Sequence, residues 1–331
     1  MNIKQVAKRA KVSTATVSRT INGSDKVSPE TAERVRQVIH DMNFFPNSHA
    51  RTLVSGRSRM VGLIISDITN PFFPELVKNF EDQAVERGLE IIIGNTDYKP
   101  KRMVSCIRRM LERKVDGVAI MTSETDVALL AEMTRRNTPM VLLDTGTTGD
   151  HSANVAIDYA QGIREAAEHL FSLNHRRIAF IAGPLELESA RTRHAAFLSA
   201  MKARGYPVEE GMIQEGNHRI DGGSIAMRNL LTLANPPTAI MTSNDMTAIG
   251  ALGTIHEAGL RVPQDISVVG FDGISFSNLT QPPLTTVLIS RTQLALTAFV
   301  ALERLIKREG TQKSDYVIPA HLIVRGSTRV I

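Results

Sequence analysis

The sequence predicts an all-α helix-turn-helix headpiece followed by an α/β body of two parallel-sheet, Rossmann-like lobes. Three observations predict it. Short apolar-periodic segments surround tight turns in the first forty residues, β-branched runs alternate with helical stretches from Met60 onward, and that alternation restarts near Asn154.

Taken in order, residues 3–10 and 14–21 form two short periodic segments around the turn Lys11-Val12-Ser13. Val6, Ala7 and Ala10 fall on one face of the first, and Val17 and Ile21 on one face of the second. The small Ala7 and Ala10 let the two helices cross closely, so the second presents Thr14, Ala15, Ser18 and Arg19 outward. Ser28-Pro29-Glu30-Thr31 then supplies an N-cap, a proline at the first helical position and an early acid. Ala32, Val35, Val38, Ile39 and Met42 form the apolar stripe of a supporting helix, which ends before Phe44-Phe45-Pro46.

Charge is unevenly distributed. Ten lysines and arginines against four acids lie up to Ser58, a net +6 in a chain whose total is +5, so the remainder sums to −1. A positive module on a near-neutral body suits a polyanion, because each neutralised phosphate releases condensed counterions. A charge run can also be a merely solvated face; the helix-turn-helix spacing favours DNA.

The chain is long enough for the headpiece and one or two further cores. Its start carries charges throughout and lacks the apolar run of a signal peptide, and no stretch is long and apolar enough to span a bilayer. The single Cys106 excludes an intramolecular disulfide, fits a reducing cytoplasm, and reads as an inert buried thiol on a helical segment, Val104 to Leu111. No G-x-x-x-x-G-K-[ST] loop, G-x-G-x-x-G fingerprint or H-E-x-x-H pair occurs, so the chain reads as a non-enzyme with no cofactor. His169 and His175 flank a helix end without a third ligand at metal spacing and read as solvent or capping residues, so no metal site is expected.

In the body, strands are expected at 61–65, 90–93, 117–121 and 140–143, with helices at about 71–87, 100–114 and 126–137 between them. The second series has strands at 154–157, 177–181, 239–241 and 266–271, with helices near 160–173, 189–204 and 245–258. Continuous apolar runs argue that both sheet faces are covered. A late helix, 291–307, and a terminal strand, 321–324, are left over, so the chain crosses between lobes more than once. Two such lobes in series usually enclose a ligand cleft between the carboxyl ends of their strands. The expected domains are the headpiece at 1–46, a hinge helix and linker at 47–58, and an effector-binding and dimerisation body at 59–331. Its N-lobe spans about 59–157 plus 291–319, and its C-lobe about 158–290 plus 320–331.

Ordered motifs run the length of the chain. Val12-Ser13-x-x-Thr16-Val17-Ser18-Arg19 and Asn22 are followed by Phe45-Pro46-Asn47, Ala50-Arg51-x-Leu53 and Asp67-Ile68-Thr69-Asn70-Pro71-Phe72-Phe73. Ala182-Gly183-Pro184, Ser243-Asn244-Asp245, Val262-Pro263-x-Asp265 through Asp272, and Pro283-Leu284-Thr285-Thr286 complete the series. Each is weak alone; together they resemble the lactose and galactose repressor (LacI/GalR) family of bacterial regulators over essentially the whole chain. The resemblance implies a periplasmic-binding-protein-like body and a homodimer whose recognition helices enter successive major grooves of a pseudopalindromic double-stranded DNA operator. By matching position, Thr14, Ala15 and Arg19 reach base edges: Arg19 can pair bidentately with guanine, and the two small residues offer a hydroxyl or methyl contact. Ser13, Thr16, Asn22 and Ser28 contact phosphates. The competing reading of Thr14 and Ala15 is helix-surface filler.

The resemblance also implies that 47–54 folds as a hinge helix, with Asn47, Ala50 and Leu53 at the minor groove and Leu53 wedged between central base pairs. A helix of about two turns is marginal alone and depends on a partner for its order. Otherwise Leu53 is a linker anchor.

The family cleft maps to Asp67, Asn70, Phe72 and Asp144 on the first lobe and to Ser189, Arg193, His218, Asn244 and Asp272 on the second. Acids, amides and one Arg suit a polyhydroxylated effector, a sugar or sugar derivative. Arg193 can instead grip a carboxylate or phosphate, Asp144 and Asp272 can simply cap loops, and Phe72 can be lobe core. His218 stands where relatives often place an aromatic, which argues against naming a purine. Arg191 and Arg193 lie about 200° apart on a helix, and family position selects Arg193, leaving Arg191 on the surface. The reading is a cytoplasmic, nucleoid-associated repressor, a dimer without a tetramerising heptad tail, answering an inducer or a corepressor. The alternatives are a global carbon-control regulator answering a protein corepressor, and a stand-alone sugar-binding protein.

Overall fold

A computed structural model describes residues 2–21, 23–44, 57–122, 127–144, 149, 151–308 and 314–331. The chain divides into two compact units, Met1–Arg59 and Met60–Ile331.

The first unit holds α1 (Ile3–Ala10), α2 (Thr14–Ile21) and α3 (Pro29–Asp41). A reciprocal capping box starts α1: Asn2 Oδ1 accepts the Gln5 N–H at 3.1 Å and Gln5 Oε1 accepts the Asn2 N–H at 2.9 Å. Lys11, at φ 54°, turns the chain out of α1, and the Ser13 hydroxyl accepts the Thr16 N–H at 3.1 Å to start α2. Val6, Ala7, Ala10, Val17, Val35 and Phe44 form the core. Ile21 is only half-buried, whereas Thr20, absent from the expected core face, is buried; its hydroxyl donates to Thr16 O at 3.0 Å, which satisfies it within the helix.

In the second unit, β1 (Met60–Ile65), β2 (Glu90–Asn95), β3 (Gly117–Met121), β4 (Met140–Leu143) and β5 (Ser152–Asp158) alternate with α4 (Phe72–Glu86), α5 (Pro100–Glu112) and α6 (Val127–Arg135). The second series is α7 (Tyr159–Ser172), β6 (Ile178–Ala182), α8 (Glu188–Ala203), β7 (Ile213–Glu215), α9 (Ile220–Leu231), β8 (Ala239–Thr242), α10 (Asp245–Glu257), β9 (Ser267–Asp272) and β10 (Thr285–Ile289). Then α11 (Arg291–Lys307) packs back on α4, where Phe80 and Phe299 meet edge to face at 5.1 Å. β11 (Ser314–Ile323) closes the chain. The strand order is β2-β1-β3-β4-β5-β11-β10-β9-β8-β6-β7.

β11 departs from the expected strand at 321–324 by beginning at Ser314. Its first part pairs parallel with β5 through Pro319, and its last part pairs antiparallel with β10 from Ala320. One strand thus serves both lobes, with a proline, which lacks a donor, at the changeover. The helix α9 is not among the expected elements, and its Gly222-Gly223 pair disfavours a helix by roughly 1 kcal/mol per glycine. Packing demands glycine there: a Cβ on Gly223 would lie 2.2 Å from Thr247 O, and one on Gly250 2.0 Å from Ile220 O. α9 and α10 therefore cross at backbone contact.

His169 and His175 are not solvent residues. His175 is fully buried, with Nδ1 2.9 Å from Thr238 Oγ1 and Nε2 3.1 Å from both Ser267 Oγ and Arg329 O. His169 Nε2 lies 2.9 Å from Thr328 Oγ1. Both fasten the C-terminal segment, and burial pulls both below the usual histidine range. Cys106 is buried, which pushes its thiol up. No helix among the described residues is long and apolar enough to cross a membrane.

Candidate functional site

Thr14, Ala15 and Arg19 are exposed on α2. Ser13 and Thr16 stand at the start of that helix, their hydroxyls 2.9 Å apart, and Ser28 caps α3 by accepting the Thr31 N–H at 3.4 Å. Two helix N-termini with hydroxyls beside their first N–H groups have the chemistry of anion sites. Asn22, Asn47, Ala50 and Leu53 lie outside the described residues.

In the body, a cavity of about 60 Å³ lies where the carboxyl ends of strands from both lobes meet. The structure brings Asn70, Phe72, Ser189, Arg193, His218, Asn244 and Asp272 together around it. Topology explains the convergence: Phe72 opens α4, Ser189 and Arg193 lie in the first turns of α8, Asn244 caps α10 and Asp272 ends β9.

Arg193 is the centre of this group. Its Nε donates to Ser189 O at 3.0 Å and its Nη1 to Ser243 O at 2.5 Å, and Nη1 lies 4.0 Å from Asp272 Oδ1. The guanidinium sits over the Tyr159 and Phe271 rings, 4.9 and 5.2 Å from their centroids, a cation–π seat built from two elements of the second lobe. Burial pushes the Asp272 carboxyl up to about 7 against the opposing pull of Arg193, Arg291 and a hydrogen bond from Asn70. His218, at φ 61°, is held by Ser243 Oγ 3.2 Å from Nδ1, and its carbonyl accepts the Asn244 Nδ2 at 2.9 Å. Burial, with Arg193 adding repulsion, lowers its pKa to about 3, so it is a neutral ring at physiological pH. Gly183 makes room for it: a Cβ there would lie 2.0 Å from His218 Cε1.

Two expected members do not line the cavity. Asp67 accepts the Thr69 N–H at 3.0 Å, the Thr69 hydroxyl at 2.6 Å and Arg219 at 3.0 and 3.2 Å, so its acceptor sites are occupied. Burial alone would raise its pKa, but the Thr69 and Arg219 hydrogen bonds bring it below the usual range. Asp144 accepts the Ile157 N–H at 2.8 Å and the Tyr159 hydroxyl at 2.7 Å; burial outweighs both bonds and raises its pKa. It reaches the cavity only through Tyr159. Arg191 is on the surface, paired with Glu188. Conversely, Ser66, Tyr98, Thr122 and Tyr159 line the cavity and were not expected. Each lies within three residues of the carboxyl end of a strand, which is where an open parallel sheet carries its ligand groups.

A headpiece with an exposed reading helix and a body with a polar inter-lobe cavity make up the architecture of a transcriptional regulator with a separate sensing part. Residues 2–47 match the family described as "Bacterial regulatory proteins, lacI family", and residues 167–328 match "Periplasmic binding protein-like domain". The HTH-type transcriptional repressor PurR of Actinobacillus pleuropneumoniae is 35% identical over 99% of this chain and 98% of its own length. CytR of Escherichia coli, also an HTH-type transcriptional repressor, is 32% identical over 99% and 96%. A lac repressor dimer bound to operator and the anti-inducer ONPF superposes with a TM-score of 0.88 at 28% identity, covering 99% of both chains. A CelR–cellobiose complex gives 0.75 at 29%, again over 99% of both. The chain belongs to the lacI family and is a DNA-binding transcriptional regulator, not an enzyme.

Proposed function

We propose that the chain is a cytoplasmic repressor that binds a pseudopalindromic operator as a homodimer and whose DNA affinity is set by a neutral, polyhydroxylated ligand, a sugar or sugar derivative, in the inter-lobe cavity. One observation carries the ligand class. Among the described residues lining the cavity, the ionisable groups other than the neutral His218 and the tyrosines are Arg193 and Asp272, which lie 4.0 Å apart, so the single cation already faces a carboxyl. His218 stays neutral, so no second cation is on hand for a phosphate. Asn70, Ser189, Asn244 and Asp272 offer donors and acceptors to hydroxyls, and Phe72, Tyr98 and Tyr159 offer ring faces. In the headpiece, Thr14, Ala15 and Arg19 would read base edges, with Ser13, Thr16, Asn22 and Ser28 on phosphates. Asn47, Ala50 and Leu53 would occupy the minor groove.

A thermal-shift panel tests the ligand class. A neutral saccharide at a hundred times its dissociation constant stabilises the protein by about 2.7 kcal/mol, whereas its phosphorylated counterpart gives no shift. A response confined to phosphosugars or nucleobases overturns the neutral class, and silence across the whole panel favours a protein corepressor. For the headpiece, Arg19→Ala is expected to cost about 1–3 kcal/mol at a guanine position of a selected operator. Fluorescence anisotropy should show little change on random DNA; equal losses on both sequences would make Arg19 a phosphate contact.

A further inference from the structure

Two dipeptides face each other across the lobes. Asp97-Tyr98 follows β2 in the first lobe, and His218-Arg219 precedes α9 in the second. Arg219 Nη2 donates to Asp97 Oδ1 at 2.5 Å and to Asp67 Oδ2 at 3.0 Å, while Nε reaches the same Asp67 oxygen at 3.2 Å. Beside this, the Tyr98 and His218 rings lie 5.9 Å apart, tilted by 34°. Asp97, Tyr98 and His218 all adopt left-handed φ, at 53°, 55° and 61°, an arrangement that persists only where surrounding contacts hold it. The Asp67 side chain is 4% exposed and that of Arg219 46%, so the cation bridges from solvent onto a buried acid.

Tyr98 and His218 both line the cavity; Arg219, Asp97 and Asp67 do not. With about 60 Å³ of space, the cavity is far smaller than the roughly 300–1,000 Å³ of typical small-molecule pockets, so a sugar-sized ligand passes only when the lobes part. We infer that Arg219, gripping Asp67 and Asp97, is a positioning residue that clasps the lobes shut and sets Tyr98 and His218 against the ligand. The inference rests on the cavity being the effector site, but the clasp itself is measurable without ligand. It is electrostatic and bidentate on the arginine side, which a lysine reproduces in charge and only partly in geometry.

The test is a pulsed electron–electron distance measurement on the full chain in a Cys106→Ala background, with spin labels at the exposed positions Lys101 and Arg228. The labelled chain is diluted into excess unlabelled Cys106→Ala chain so that a homodimer carries one labelled pair. The expected result is one narrow distance with Arg219 present, a broader and longer distribution in Arg219→Met, and a partial return in Arg219→Lys. Asp97→Asn removes one of the two pairs and leaves Asp67 in place, so an intermediate distribution is expected; it decides the matter if Arg219→Met fails to fold. A narrow, unshifted distance in the folded variants overturns the clasp. Failure of the saccharide panel with a broadened Arg219→Met distribution would instead sink the ligand reading and leave the clasp standing.

Discussion

Arg193→Ala is expected to abolish the thermal stabilisation conferred by the proposed ligand and to lower the stability of the ligand-free body by about 3 kcal/mol, the low end of what breaking a buried ion pair costs. The loss combines two hydrogen bonds to Ser189 O and Ser243 O with the seat over Tyr159 and Phe271. It stays at the low end because Asp272, already pushed up to about 7, can take a proton once its cation is gone. Arg193→Lys keeps a charge near Asp272 but lacks the planar fork, so it should recover stability more fully than ligand response. Urea unfolding and saccharide titration on the same samples separate the two effects. An undiminished ligand shift in Arg193→Ala would remove this residue from the binding site.

Asp245 should contribute a loss of stability as pH rises from about 4 to about 8, opposed below about 6.5 by the lowered His169, His175 and His218. The body should therefore lose stability between about 6.5 and 8, and Asp245→Asn should flatten part of that slope. Asp245 is fully buried behind the cavity, with the Thr286 hydroxyl 2.5 Å from Oδ1 and the Ile274 N–H 2.8 Å from Oδ2. Burial, reinforced by the neighbouring Asp272 charge, pushes it up to about 8. Since the unfolded carboxyl titrates near 3.9, the folded state holds an extra proton throughout that window. The contribution of each such group therefore falls with rising pH, by at most about 1.4 kcal/mol per unit, and the fall ends once pH passes the folded value. Asp272 acts in the same direction, and the pair titrates as a coupled unit. Asparagine mimics the protonated acid, accepting from Ile274 and donating to Thr286. Urea unfolding at several pH values from 5 to 8.5 reads the slope; parallel slopes for the two proteins would show that Asp245 does not carry the extra proton.

Legibility in the sequence tracked distance along the chain. The headpiece was readable because its determinants are local: the cap at Ser28 acts within three residues, and the core positions repeat every three or four. Thr20 escaped because an inward hydroxyl satisfied by its own helix leaves no trace in apolar periodicity. In the body, strands with continuous apolar runs were legible, whereas α9 was hidden behind a glycine pair that only its crossing with α10 explains.

At the cavity, sequence and family position singled out residues of the right chemistry but could not say where each carboxylate points. Asp67 and Asp144 have the chemistry of ligand groups, yet their acceptor sites are taken by Thr69, Arg219, Ile157 and Tyr159. Arg219 meets Asp67 across 152 residues of chain, and Tyr98 faces His218 only because two lobes close on each other. By itself, then, the sequence determined the class of the protein and part of the cavity's lining, since caps, periodicity and charge are local properties. Tertiary structure alone decided which polar groups face the cavity, because in a buried site a donor or acceptor goes to whichever partner the fold brings within reach.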